Sequence, residues 1–118
     1  MFLILHGRTP SKKNSRKIFT VRGRIVIAPS SDYAKWHKDA SLQLKKFSKE
    51  VKQNSSITMV FFAGDNRKFG LSNKCESVMD LLVDNGFLPD DSWEYCKDIH
   101  LMFGGVDKNN PRVTIEII

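Results

Sequence analysis

Apolar and polar positions along the chain change period several times, and each change marks an element. Residues 2–6, Phe-Leu-Ile-Leu-His, form a short β-prone run that ends in the polar turn formers Thr9-Pro10-Ser11-Lys12-Lys13-Asn14-Ser15. This opening reads as a first strand followed by a basic loop, not as a signal peptide. Ile18–Val21 and Arg24–Ile27 flank Arg22-Gly23, the pattern of a short hairpin with positive charge at its turn, placed as an arm at the rim. Beyond it, Tyr33, Trp36, Ala40, Leu44, Phe47 and Val51 recur at three- and four-residue spacing. That stripe predicts a helix from the Pro29-Ser30-Ser31-Asp32 start to about Lys52.

The second half repeats the logic. Ile57–Phe62 is a β-rich run of core-strand length, closed by Ala63-Gly64-Asp65-Asn66-Arg67-Lys68. Leu71, Cys75, Val78, Met79 and Leu82 form the apolar side of a second helix, predicted over about Asn73 to Asn85. Ser72 or Asn73 is its expected cap, with Glu76 as capping-box partner to Asn73 and Gly86 as the left-handed residue past its end. A turn over Phe87–Ser92, a run from Trp93 to Phe103, Gly104-Gly105 and an Arg112–Ile117 strand complete the order βββαβαββ. This order predicts an α+β fold, two main helices on a mixed β-sheet, as one domain over residues 1–118.

Charge changes this picture more than composition does. The 118 residues and 41% hydrophobic content allow one modest core, and no apolar run is long enough to cross a bilayer. Cys75 and Cys96 are too few for a disulfide framework and are expected as free thiols, which suits a reducing cytoplasm. The net charge of +6 divides unevenly: residues 1–52 hold thirteen Lys/Arg against three Asp/Glu, residues 53–118 six against ten. A basic front half suits phosphate neutralisation, and an acidic back half suits a carboxylate site.

Glu76, Asp80 and Asp84 form a row at four-residue spacing on the second helix, where like charges repel by a few tenths of a kcal/mol per pair. Asp90-Asp91 sits just beyond Gly86, where the chain can fold back toward that row. Clustered carboxylates favour hard, oxygen-preferring Mg²⁺ or Mn²⁺. Asp65 is either a further ligand or a turn former. His6, His37 and His100 lack metal-ligand spacing, and there is no CxxC, phosphate-binding Gly-rich loop or nucleophile elbow.

Taken in order, several segments together resemble the RusA family of Holliday-junction resolvases, small proteins common in bacteriophages and prophages. They are Gly7-x-x-Pro10-Ser11-Lys12-Lys13-Asn14-Ser15, Pro29-Ser30 to Tyr33-x-x-Trp36, Asn73-Lys74-x-Glu76-Ser77-x-x-Asp80-Leu81-Leu82, Gly86-Phe87-Leu88-x-Asp90-Asp91 and Asn110-Pro111-Arg112-Val113. The resemblance implies a homodimeric endodeoxyribonuclease in the host cytoplasm that cuts four-way DNA junctions with Mg²⁺ or Mn²⁺ in recombination and repair. Asp91 matches the family's catalytic aspartate, Asp90 its acidic neighbour, Asn73 the asparagine at the helix start and Asp80 a recurring helix acid of unassigned role. Two family aspartates are replaced by Gly70 and Ser72, so the expected catalytic and metal set is Asp91, Asp90 and Glu76, with Glu76 inferred from the residues because the family has a lysine there. The expected DNA-binding residues are Lys12, Lys13, Asn14, Arg16, Lys17, Arg67, Lys68, Asn73 and Lys74. The alternatives are a junction-binding protein of this fold that does not cut, and a basic DNA-binding interaction protein.

Overall fold

The computed structural model describes residues 1–11, 16–29, 31–49 and 53–118, and for 16–19 and 27–29 it describes the backbone alone. Its element order is β1 (Phe2–His6), β2 (Arg16–Val21), β3 (Arg24–Pro29), α1 (Ser31–Leu44), β4 (Ser55–Ala63), α2 (Leu71–Asp84), β5 (Cys96–Val106) and β6 (Arg112–Ile117), as the pattern predicts. The α+β class with a mixed sheet and two helices is therefore observed. β2 and β3 pair only with each other, as a separate hairpin turned at Arg22-Gly23.

The remaining strands form one sheet in the order β1-β6-β4-β5, antiparallel except for the parallel β4–β5 pair. Strict alternation decides which face is buried. Leu3 and Leu5 of β1, Ile57, Met59 and Phe61 of β4, and Val113, Ile115 and Ile117 of β6 all face the helices and are buried. α1 contributes Tyr33, Trp36, Ala40 and Leu44 to this core, and α2 contributes Cys75, Val78, Met79, Leu81 and Leu82. Trp36→Ala at such a position costs roughly 3–5 kcal/mol.

Polar contacts fix the helices on the sheet. Gln43 of α1 accepts from the His6 amide at 2.7 Å and donates to the His6 carbonyl at 2.9 Å. His37 meets Asp84 at 2.8 Å, joining α1 to the end of α2. Cys75 and Cys96 are buried free thiols. Burial, the Cys96 sulfur and Glu76 push the Cys75 thiol up to about 11.

Two helix boundaries differ from the sequence reading. α1 stops at Leu44, about two turns before Lys52, where the Lys45 amide reaches the Leu42 carbonyl and the Phe47 amide the Leu44 carbonyl. These tight turns fold Phe47 onto the core instead of extending the apolar stripe, and residues 51–52 lie outside the described residues. α2 begins at Leu71, so its N-cap is Gly70 in extended conformation, with no side-chain cap. Ser72 and Asn73 lie within the first turn and Glu76 has no capping-box role, because starting two residues earlier buries more of the apolar face. Gly86 takes φ +77 just past the C-cap Asn85, as expected of a left-handed stop.

Glycine at position 104 of β5 permits a close approach. A Cβ there would lie 2.6 Å from the Phe62 ring and 2.8 Å from Val60 on neighbouring β4.

Candidate functional site

Register brings residues distant in sequence to one end of the sheet. β1 pairs with β6 so that His6 faces Arg112, and β6 pairs with β4 so that Arg112 also faces Phe62. Arg8 follows β1, Gly64 and Asp65 follow β4, and Arg112 opens β6, so all of them meet there. The first turn of α2 adds Lys74. Together they line a cleft of about 190 Å³, with Arg8, Arg67, Lys68, Lys74 and Arg112 as its cations, Asp65 as its one carboxylate and phenylalanines as its apolar walls.

The cations are held in place. Arg8 meets Asp65 at 3.1 Å, and Arg67 meets the same carboxylate at 2.9 Å. Asp65 also accepts from the Arg67 amide at 3.0 Å, so it is a turn former, the second of its two expected roles. That amide bond, followed by the two guanidinium groups, holds its carboxyl below the usual range. Arg112 donates to Asp107 at 2.9 Å and stacks 3.9 Å from the Phe62 centroid. Lys74 donates to the Thr9 carbonyl and lies 4.5 Å from the Phe69 centroid. Burial pushes its pKa down, with Arg8 and Arg67 adding to the effect. Ser77 donates to the Pro10 carbonyl at 2.7 Å, so α2 holds the strand-to-loop segment from two positions.

A second cavity of about 380 Å³ is lined by Cys75, Glu76, Met79, Asp80, Asp91 and Ile99. It brings together two of the three expected catalytic residues, Glu76 and Asp91, and adds Asp80. Asp90, the third, does not line it. Its carboxylate accepts from the Ser92 amide at 2.8 Å, and hydrogen bonds from the Ser92 side chain and backbone hold it below the usual range. It is committed to its own turn, as aspartates at such positions often are. Asp84 is taken by His37.

Oxygen donors of this kind suit a hard divalent cation, but their arrangement does not fit one: among the described residues no three His, Cys, Asp or Glu side chains come together to hold a metal ion. Gly70 supplies no donor at the start of α2, and a Cβ there would lie 3.1 Å from the Asn73 side-chain amide. The three histidines are accounted for by acids or amides: His6 by Asn110 at 2.9 Å, His37 by Asp84, and His100 by Asp98 at 3.8 Å.

Of the expected DNA-binding residues, Arg67, Lys68 and Lys74 line the cleft, whereas Asn73 lies beside Gly70 and does not line it. Lys12, Lys13 and Asn14 lie outside the described residues; Arg16 and Lys17 lie on β2, with only their backbone described. Sequence reasoning missed Arg8, Thr9 and Arg112. The Gly7-x-x-Pro10 and Pro111-Arg112 segments lie at opposite ends of the sequence, and only strand register shows that they meet.

No protein-family model matches the chain, and no curated protein matches it in sequence.

Proposed function

We propose that this chain is a RusA-like, structure-specific endodeoxyribonuclease that acts on four-way DNA junctions. The observation that carries the reading is the pairing of two surfaces along α2: a cleft of five cations on one flank and the Glu76, Asp80 and Asp91 cavity on the other. The cleft would hold strand phosphates, releasing counterions, and fix the register of the backbone against the helix. Asp91 is the residue to which the family resemblance assigns the chemistry.

A homodimer belongs to the same proposal, since a two-fold junction calls for a two-fold enzyme. The outer edge of β5 supports it: β5 is the last strand of the sheet and exposes Ile99, Met102, Phe103 and Val106. Among the described residues no helix is long and apolar enough to cross a membrane.

A second reading, junction binding without cleavage, is favoured because among the described residues the carboxylates form no three-donor group. One experiment separates the readings. The chain is incubated with a synthetic four-way junction and with linear duplex, with and without Mg²⁺ or Mn²⁺, and followed by gel shift and by denaturing gel. Junction preference with metal-dependent paired nicks supports the endonuclease, and junction preference without nicks supports the binder. Equal affinity for both DNAs defeats both and leaves a general basic DNA-binding protein.

A further inference from the structure

The cleft beside α2 combines three features that a solvated basic patch lacks. Its cations converge on a cavity, where their mutual repulsion is felt: Lys74 is half-buried, and its ammonium is disfavoured by Arg8 and Arg67 as well as by burial. Thr9 also lines the cleft at 4% exposure, and its hydroxyl has no hydrogen-bond partner among the described residues. An unpartnered buried hydroxyl beside crowded cations is costly, and an anion with several acceptor oxygens would satisfy both.

The third feature concerns the aromatic walls. Phe62 and Phe69 would be natural stacking surfaces for a nucleobase, yet each already faces a cation, Phe62 the Arg112 guanidinium and Phe69 the Lys74 ammonium. Phe69 also packs edge-on against Phe103 at 5.9 Å. The faces that these rings turn to Arg112 and Lys74 are therefore taken up by cations. Arg8 lies close over Gly64, where a Cβ would stand 2.9 Å from its guanidinium, and reaches across the loop to Asp65.

We infer that this cleft is a base-blind phosphate pocket in which Arg8, Lys74, Arg112 and Thr9 grip a single phosphate group whatever nucleoside carries it. The inference rests on the DNA reading only for the source of that phosphate. A strand phosphodiester and a terminal phosphomonoester present the same oxygens.

The test is titration of the full chain, followed by amide NMR, at ionic strength matched with chloride. Inorganic phosphate is the first probe, methyl and dimethyl phosphate stand for the two sources, and dAMP, dCMP and the unphosphorylated nucleosides test the base. Saturable shifts at Thr9, Gly64 and Lys74 are expected, with a dissociation constant of about 1 mM or tighter. The two nucleotides should agree within about twofold and the nucleosides should not bind, as a site without base contacts requires. Arg8→Gln and Lys74→Gln should each weaken phosphate binding about tenfold, the loss expected for one charge-assisted hydrogen bond. Thr9→Val should weaken it less while leaving the fold as stable or more so. Lys108→Gln, outside the cleft, should change nothing.

Non-saturating shifts, shifts reproduced by chloride, full affinity in all three cleft variants, or a clear preference for one base overturns the pocket. Full phosphate affinity in Arg8→Gln and Lys74→Gln beside intact junction binding would sink the pocket and leave the DNA reading standing. Saturable phosphate binding without junction preference would do the reverse.

Discussion

On the cleft flank of α2, Arg8, Arg67, Lys74 and Arg112 each have a partner: the Asp65 carboxylate for both Arg8 and Arg67, the Thr9 carbonyl and Phe69 ring for Lys74, and Asp107 with the Phe62 ring for Arg112. On the opposite flank, Glu76 and Asp91 are exposed, and Asp90 has turned onto its own loop. The difference is one of pre-organisation. A surface built for binding benefits when its donors are already oriented, because less freedom is lost on contact. Exposed acids such as Glu76 and Asp91 stay hydrated, and their orientation is not fixed in the same way.

The most severe way to break this comparison is Asp91→Asn. If the acidic flank does the cutting, the variant loses at least about 100-fold in junction nicking, the lower range for a positioned acid or base, while its gel-shift affinity is unchanged. Parental nicking would move the chemistry elsewhere. Next in size is Lys68→Gln on the cleft flank. It should lower the slope of log affinity against log salt by about 0.9 if it holds one phosphate, whereas Glu76→Gln should leave that slope alone.

A pH titration sharpens the acidic side. The Cys75 thiol, displaced from 9.0 to about 11 mainly by burial, favours the folded state while it stays protonated. That contribution is complete below about pH 9 and disappears as pH rises through about 11, so denaturant midpoints should fall across this window. Cys75→Ala should flatten the fall, and a parental profile in the variant would remove Cys75 from the account. The smallest effect is that of Gly70→Asp. An aspartate at this N-cap gains only a few tenths of a kcal/mol over glycine, and the 3.1 Å approach to Asn73 uses some of that. Any larger change should appear in metal-dependent nicking, which rises if the family's missing carboxylate is what the acidic flank lacks and stays flat if it is not.

Element order was legible because strands and helices carry different patterns: a short β-rich run over Ile57–Phe62 and three- and four-residue spacing from Tyr33 to Leu44. The end of α1 was not, since Phe47 continues the apolar stripe but reaches the core from a turn. The front-to-back charge division also misleads. Four of the five cleft cations, Arg67, Lys68, Lys74 and Arg112, come from the acidic half, and only Arg8 comes from the basic half. A site assembled by antiparallel register between β1, β6 and β4 has no local signature; counting charge along the chain averages away what pairing across the sheet brings together. The Asp90-Asp91 pair was visible as two acids, but whether either caps its own loop depends on the backbone turn at Ser92.

The glycine at position 104 extends the cleft's reach to a strand that contributes no cation to it. Because β5 has only a hydrogen there, the Phe62 ring can lie across it, and that ring in turn carries the Arg112 guanidinium. A methyl group at this spot would press on the ring that carries the charge, so the proposed phosphate pocket would have a tuning screw on a neighbouring strand. Variation at position 104 would retune that proposed pocket while every residue lining it stayed the same.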